Sequence, residues 1–483
     1  MSRSAADAAI SHDTGGSNLL SKISRPLLAL VATPVVAALL VGASQGGGAT
    51  PGSATAGDPY FPASGNGGYH VVHYGLDLGY TPETKQLQGA ADLTVTPTQR
   101  LGSFYLDFSG MTVDSVRVDG RRAEFSRSGT ELKVTPQRSL DRGRKVHVVV
   151  TYSGVPENVV DPDGSADGWI IQPDGSVFVA NEPQGAMTWF PSNSHPKDKS
   201  TYDVAITVPN GWTAVSNGRL RDQRSHYGKT TFSWRESQPM AAYLSTASIG
   251  KFQTEQYVTA GGLPVYNAVA PSQAAEAGPV LAQLPAVIDW ESRLFGRYPF
   301  DAAGSIVADA PDVGYALETQ TRPIYDRAPD IGTLVHETAH QWFGDSVTLT
   351  KWQDIWLNEG FATYAEWLWS AEHGGLTTAQ QFAADYALPA TDSLWSFPAG
   401  DPGDGGHIFA KPPYERGAMV LEKLRQTVGD RAFFTILRTW ASENRHGHGT
   451  SAEFIALSKK ISHKNLDALF TTWLYGKGKP ATP

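Results

Sequence analysis

The stretch "TLVHETAHQW", residues 333–342, sets two histidines four positions apart with a glutamate directly after the first. On an α-helix, positions four apart lie about 40° from each other in projection and about 6 Å apart along the axis, so His336 and His340 can converge on one ion. Glu337 then points towards the rim of that site. Two solvated histidines on a helix face would produce the same short pattern, and a second stretch separates the readings. "WLNEGFATYAEW" places Glu359 with eighteen residues between it and His340. A buried carboxylate among such large apolar neighbours needs a partner, because an unpaired buried charge is expensive. His336, His340 and Glu359 together make a donor set that leaves the fourth tetrahedral position open, the arrangement of a catalytic zinc and not of a closed structural one.

Outward from these helices, the chain changes character about midway. From about Gln273 it carries longer amphipathic stretches: "IGTLVHETAHQWFG", "WLNEGFATYAEWLWS", "ERGAMVLEKLRQTVG" and "TSAEFIALSKKI". The last opens with a capping box, Thr450 to Glu453, and a strand is expected near "GSIVADA". Between about Tyr69 and Phe252 the pattern is period two, in short runs such as "VRVDGRRAEF", with its Asp119-Gly120 turn, "ELKVTP", "KVHVVVTYSG" and "TYDVAITVP". That spacing predicts an antiparallel β domain. The fold class is therefore α+β, with a β domain over 66–252 followed by a mainly helical domain over 253–483.

Composition narrows the function. The chain has 483 residues, 41% of them apolar, enough for two well-developed cores. Its net charge of -9 is mixed along the sequence without a basic run, which argues against nucleic acid as a partner. The absence of cysteine excludes thiolate nucleophiles and every Cys-ligated metal site.

At the amino terminus, Lys22 and Arg25 precede an apolar run from Leu27 to Val41 that ends in the small residues of "VGAS". This is the order of a secretory signal, expected over 1–43. As a helix the run would rise about 22 Å, short of a hydrocarbon core of about 30 Å, and Pro34 interrupts it. Secretion without stable membrane insertion is the expectation, and an uncleaved membrane anchor the alternative. Residues 44–65, rich in Gly, Ser and Ala, read as a flexible linker. "GASQG" at 42–46 fits the G-x-S-x-G pattern of serine hydrolases, but no strand precedes it and no helix follows.

The combination H-E-x-x-H, eighteen residues, then E inside "WLNEGFA", with "HQWFG" continuing the first helix, resembles the M1 aminopeptidase family of gluzincin metallopeptidases. The similarity runs from about Tyr69 to the end and is to the family's short two-domain form. It implies a saddle-like or sandwich β domain, a thermolysin-like catalytic domain, one zinc ion per chain and a more open site than in the longer forms. "GYALETQ" occupies the place of the family's G-A-M-E-N motif, with Ala316 and Glu318 matching, and the resemblance gives Glu318 the substrate's free amine. "NEPQGAMTWFP" resembles a second family segment and makes Glu182 another amine anchor. "PPYERGAMVL" resembles the Tyr-x-Lys-Gly helix, with Arg416 in place of Lys and Tyr414 in place of the catalytic tyrosine.

These assignments imply a secreted zinc aminopeptidase acting on peptides with a free N-terminus. Glu337 would be general base towards a zinc-activated water, and Tyr414 would hold the oxyanion. A thermolysin-like endopeptidase and a non-catalytic peptide-binding relative are the alternatives. Glu366, on the helical face of Glu359, reads equally well as a carboxylate orienting a ligand histidine and as a solvated glutamate. His407, His446 and His448 fall in loops and are not assigned to the metal.

Overall fold

Alternating residues of the first half become paired strands. The computed structural model describes residues 48–483, so the expected signal segment and the start of the expected linker lie outside the described residues. An eight-stranded sheet runs in the order Arg219–His226, Lys229–Ala241, Lys199–Pro209, Tyr69–Thr81, Gln86–Pro97, Val146–Gly154, Thr112–Val118 and Arg121–Arg122. In Val146–Gly154, Val146, Val148, Val150 and Tyr152 turn into the core. Asp119 and Gly120 both take positive φ, 47° and 74°, as a two-residue hairpin turn of the primed type requires.

The expected antiparallel pattern holds along most of this sheet. The exception is its centre, where Lys199–Pro209 pairs parallel to Tyr69–Thr81. More than a hundred residues separate the two strands, and a parallel neighbour needs such a long crossover. A four-stranded and a five-stranded sheet complete this half, the latter ending with Ala247–Gly250.

The expectation of a free linker does not hold for its described part. Thr50–Pro51 pairs parallel to the start of Leu101–Asp107, and Gly52 N–H donates to Ser103 O at 2.8 Å. Asp58 Oδ2 accepts from Trp352 N–H at 2.9 Å, and the Phe61 ring meets Trp352 edge-on at 6.0 Å. Composition misled because main-chain pairing, one carboxylate and one ring suffice to dock a segment with few apolar side chains.

A further five-stranded sheet, in the order Gln253–Val258, Pro264–Val269, Ala303–Val307, Ile324–Tyr325 and Ala316–Leu317, opens the second half. The described residues of this half also form nine α-helices, the first two between strands of that sheet: α1 Ala274–Leu281, α2 Leu284–Phe295, α3 Ile331–Ala339, α4 Trp356–Glu372, α5 Thr378–Ala387, α6 Gly417–Val428, α7 Asp430–Glu443, α8 Ser451–Ser462 and α9 Asp467–Trp473. The capping box on α8 is formed: Glu453 N–H donates to Thr450 Oγ1, and Thr450 N–H to Glu453 Oε2. α3 stops earlier than its sequence pattern suggests. Past His340 the chain widens into bonds five residues apart, Asp345 N–H to His340 O among them, and Gly344 at φ +136° leaves the right-handed region. No described helix is long and apolar enough to cross a membrane.

Candidate active site

α3 begins at Asp330, whose Oδ1 accepts from Thr333 N–H at 2.7 Å, and delivers His336 and His340 at its end. α4 lies against it, the rings of Phe343 and Phe361 meeting at 4.7 Å. Glu359 Oε2 stands 3.3 Å from His336 Nε2 and 3.4 Å from His340 Nε2. Ligand bonds of about 2.0–2.1 Å from a tetrahedral centre give edges of about 3.3 Å, so both separations from Glu359 match those of a shared zinc, and the three donors all lie within 4.8 Å of one another.

The outward nitrogens of both imidazoles are tied down. His336 Nδ1–H donates to Glu366 Oε1 at 2.6 Å, and His340 Nδ1–H to Phe343 O at 3.0 Å, a tautomer assignment that leaves both Nε2 lone pairs facing inward. The donor chemistry and spacing therefore fit zinc. His407, His446 and His448 belong to none of the potential metal-holding groups among the described residues.

Tyr414 reaches the centre through a close backbone crossing. A Cβ on Gly360, next to Glu359, would lie 2.8 Å from Gly417 Cα, and the reverse substitution is equally tight. These two glycines let α4 and the wide helical turn Pro412–Arg416 touch, bringing the Tyr414 ring 6.0 Å from His336 and nearly parallel to it. Arg416 faces away from the centre: its Nε donates to Trp473 O at 2.8 Å and one Nη to Gly476 O at 2.5 Å, so it fastens the end of α9.

The β half contributes Glu182 and the helical half Glu318, which follows the edge strand Ala316–Leu317. Both carboxylates are buried, and Glu182 Oε1 and Glu318 Oε1 have no hydrogen-bond partner among the described residues. Glu182, Glu318 and Glu359 each place a carboxylate oxygen within 4.8 Å of the other two. Gln341, directly after His340, holds the Glu318 segment by donating to Glu318 O at 3.2 Å and accepting from Thr321 N–H at 2.8 Å. All of these acids, the two histidines, Ala316 and Tyr414 line one cavity of about 420 Å³.

Its electrostatics favour a cation. Burial pushes the Glu337 carboxyl up to about 8, against the pull of His336 and His340. Burial also acts to raise Glu359, but the two imidazoles outweigh it and hold this carboxylate at about 2. Burial and the four surrounding carboxylates raise the Tyr414 hydroxyl well above its ordinary value, so it remains a hydrogen-bond donor.

Sequence reasoning did not single out Gln341, Lys199 or Asp163. Gln341 carried a signal in its place immediately after the second histidine. Lys199, buried, donates to Asp345 O at 2.7 Å, Ser346 O at 3.0 Å and Gly447 O at 3.2 Å, and no local pattern announces such a contact.

A β half that lends an acid to a two-histidine, one-glutamate centre between two helices is the build of a metallopeptidase. Comparison with known proteins agrees: the peptidase family M1 domain model matches residues 315–473, and the peptidase M1 N-terminal domain model residues 70–244. The M1 zinc metallopeptidase from Deinococcus radiodurans is 29% identical at a TM-score of 0.78, over 89% of this chain and 98% of that one. A mutant of the same protein bound to a Tyr-Ser-Ala substrate is similar at 28% identity and the same TM-score.

Among curated relatives, glutamyl aminopeptidase of Bos taurus is 27% identical over 85% of this chain and 47% of its own length. Aminopeptidase N of Streptomyces lividans is 24% identical over 83% of this chain and 50% of its own. The chain thus spans about half the length of these two relatives. It belongs to peptidase family M1, and that family implies zinc.

Proposed function

We propose that this protein is an exported aminopeptidase that releases the first residue of peptides, with one zinc per chain held by His336, His340 and Glu359. The observation that carries this reading is the pair of buried carboxylate oxygens on Glu182 and Glu318 that have no hydrogen-bond partner among the described residues, beside that centre. A free α-ammonium is the complement of such a pair, and its capture sets the first peptide bond over the metal position. Ala316, on the edge strand before Glu318, lines the cavity that would receive the substrate. The Tyr-Ser-Ala substrate bound to the Deinococcus radiodurans mutant supports a peptide of this kind.

Zinc bound there supplies Lewis acidity towards water and towards a carbonyl oxygen. Glu337 takes the proton of the attacking water and returns it to the leaving amine. The Tyr414 hydroxyl donates to the oxygen on which negative charge develops. Export is supported by the charged, apolar and small-residue order of residues 22–44.

The test uses one tripeptide with a free N-terminus and the same peptide acetylated, each with and without a chelator. Loss of the first residue from the free peptide alone, abolished by chelation, is the expected result. Equal cleavage of the acetylated peptide would overturn amine capture and indicate an endopeptidase.

A further inference from the structure

The cavity has an acidic residue that the reaction does not use. Asp163 lines it together with Ser165, from the turn between the strands Val159–Val160 and Ala166–Ile171 of the β half. Both hydrogen bonds found on this carboxylate fall on Oδ1, from Ser165 N–H at 2.9 Å and Ser165 Oγ at 2.7 Å. Among the described residues no hydrogen bond is seen on Oδ2, which leaves that oxygen able to meet a ligand.

The turn is built into the site from both sides. Asp161 N–H donates to Ser165 O and Gly164 N–H to Asp161 O, each at 2.9 Å. Tyr315, which precedes the edge strand of the amine-binding segment, donates its hydroxyl to Ala166 O at 2.7 Å. Gln184, two residues after Glu182, donates its side chain to Asp161 Oδ1 at 2.9 Å and its backbone N–H to Asp167 Oδ2 at 3.1 Å. Asp163 is thereby held relative to Glu182 on one side and to Tyr315 on the other. The turn's acids and Glu182 all lie close enough to act on the Tyr315 hydroxyl, whose ionisation burial first and these charges second oppose.

The cavity lining also includes apolar and aromatic side chains, Val313, Tyr315, Ala316 and Phe409 among them. Such a surface suits the aliphatic stem of a long side chain, and Asp163 puts an exposed carboxylate on the same lining. No Lys or Arg lines the cavity among the described residues, whereas five acidic side chains do, two of them bordering the metal centre as Glu337 and Glu359. An acidic first residue therefore meets like charge and no partner.

We infer that the cavity selects peptides whose first residue carries a basic side chain, Arg or Lys, with Asp163 as the carboxylate that receives it. This rests on the aminopeptidase reading and adds the substrate class. It departs from what the printed name of the bovine glutamyl enzyme says of that protein. Because Asp163 is exposed, the selection weakens as salt screens the pair.

The test compares kcat/KM of the zinc-loaded protein on Arg-, Lys-, Leu- and Glu-aminomethylcoumarin, for the natural sequence, Asp163→Asn and Asp163→Glu. The expected result is Arg and Lys above Leu by about fivefold and Glu lowest of all, the scale of a partly exposed ion pair. Asp163→Asn brings the Arg-to-Leu ratio down by about the same factor, and Asp163→Glu restores most of it. An unchanged ratio in Asp163→Asn, or Glu turned over faster than Arg, would overturn the inference while leaving the aminopeptidase reading in place. Absence of turnover on all four substrates would overturn both.

Discussion

Glu366 Oε1 stands 2.6 Å from His336 Nδ1, so α4 carries both Glu359, the glutamate proposed as a ligand, and, two turns later, a carboxylate hydrogen-bonded to a histidine of α3. Such an outer partner fixes the ring and raises its basicity. Glu366→Ala is expected to lower zinc affinity by about 10–100-fold, read by competition with a chelating dye. Affinity equal to that of the natural protein would return Glu366 to the solvated role.

Glu337→Gln and Tyr414→Phe separate proton transfer from oxyanion stabilisation. The first is expected to lower kcat by about 10²–10⁴, and the second by about 10²–10³, with zinc content by atomic absorption unchanged in both. Zinc loss in Glu337→Gln would mean that this residue retains metal and is not the base.

Lys199 ties the β half to the turn that follows α3. Lys199→Met removes the donor to Asp345 O, Ser346 O and Gly447 O and leaves those carbonyls without it. Destabilisation of about 2–3 kcal/mol is expected from urea unfolding. A change under about 0.5 kcal/mol would show that these carbonyls find other partners.

Glu236 makes stability depend on pH in a direction that can be worked out. Burial pushes its carboxyl up to about 8, and one of its oxygens has no partner among the described residues. An unfolded glutamate titrates near about 4.3, so between these values the folded protein holds the extra proton and this group's contribution is lost as pH rises. Glu236→Gln cannot ionise. Its melting temperature should gain on the natural protein between about pH 5 and pH 8, by about 5 °C at the upper end, about 5 kcal/mol of proton linkage divided by the unfolding entropy of a chain this long. A constant difference across that range would contradict the assignment.

Much of the centre was legible because its geometry is local. The i, i+4 histidines follow from helical pitch, and the apolar setting of Glu359 announced a buried partnered acid. Glu366 was ambiguous, because a position on the right helical face does not reveal whether the neighbouring helix presents an imidazole there. The described part of the expected linker was misread, because backbone pairing to a strand some fifty residues away leaves no mark on composition.

From its own order, the chain determined which helices carry donors, how far apart those donors stand along each helix, and which segments alternate as strands; all of these depend on the pitch and pleat of one element. Tertiary structure alone decided that Glu182 and Glu318, 136 positions apart, present oxygens without hydrogen bonds among the described residues to one cavity, and that Asp163 lines it too. Those meetings depend on sheet order and on the bonds of Gln341 and Lys199 between distant segments, and the Gly360–Gly417 crossing likewise brings Tyr414 to the centre. Periodicity carries no record of contacts made across such separations.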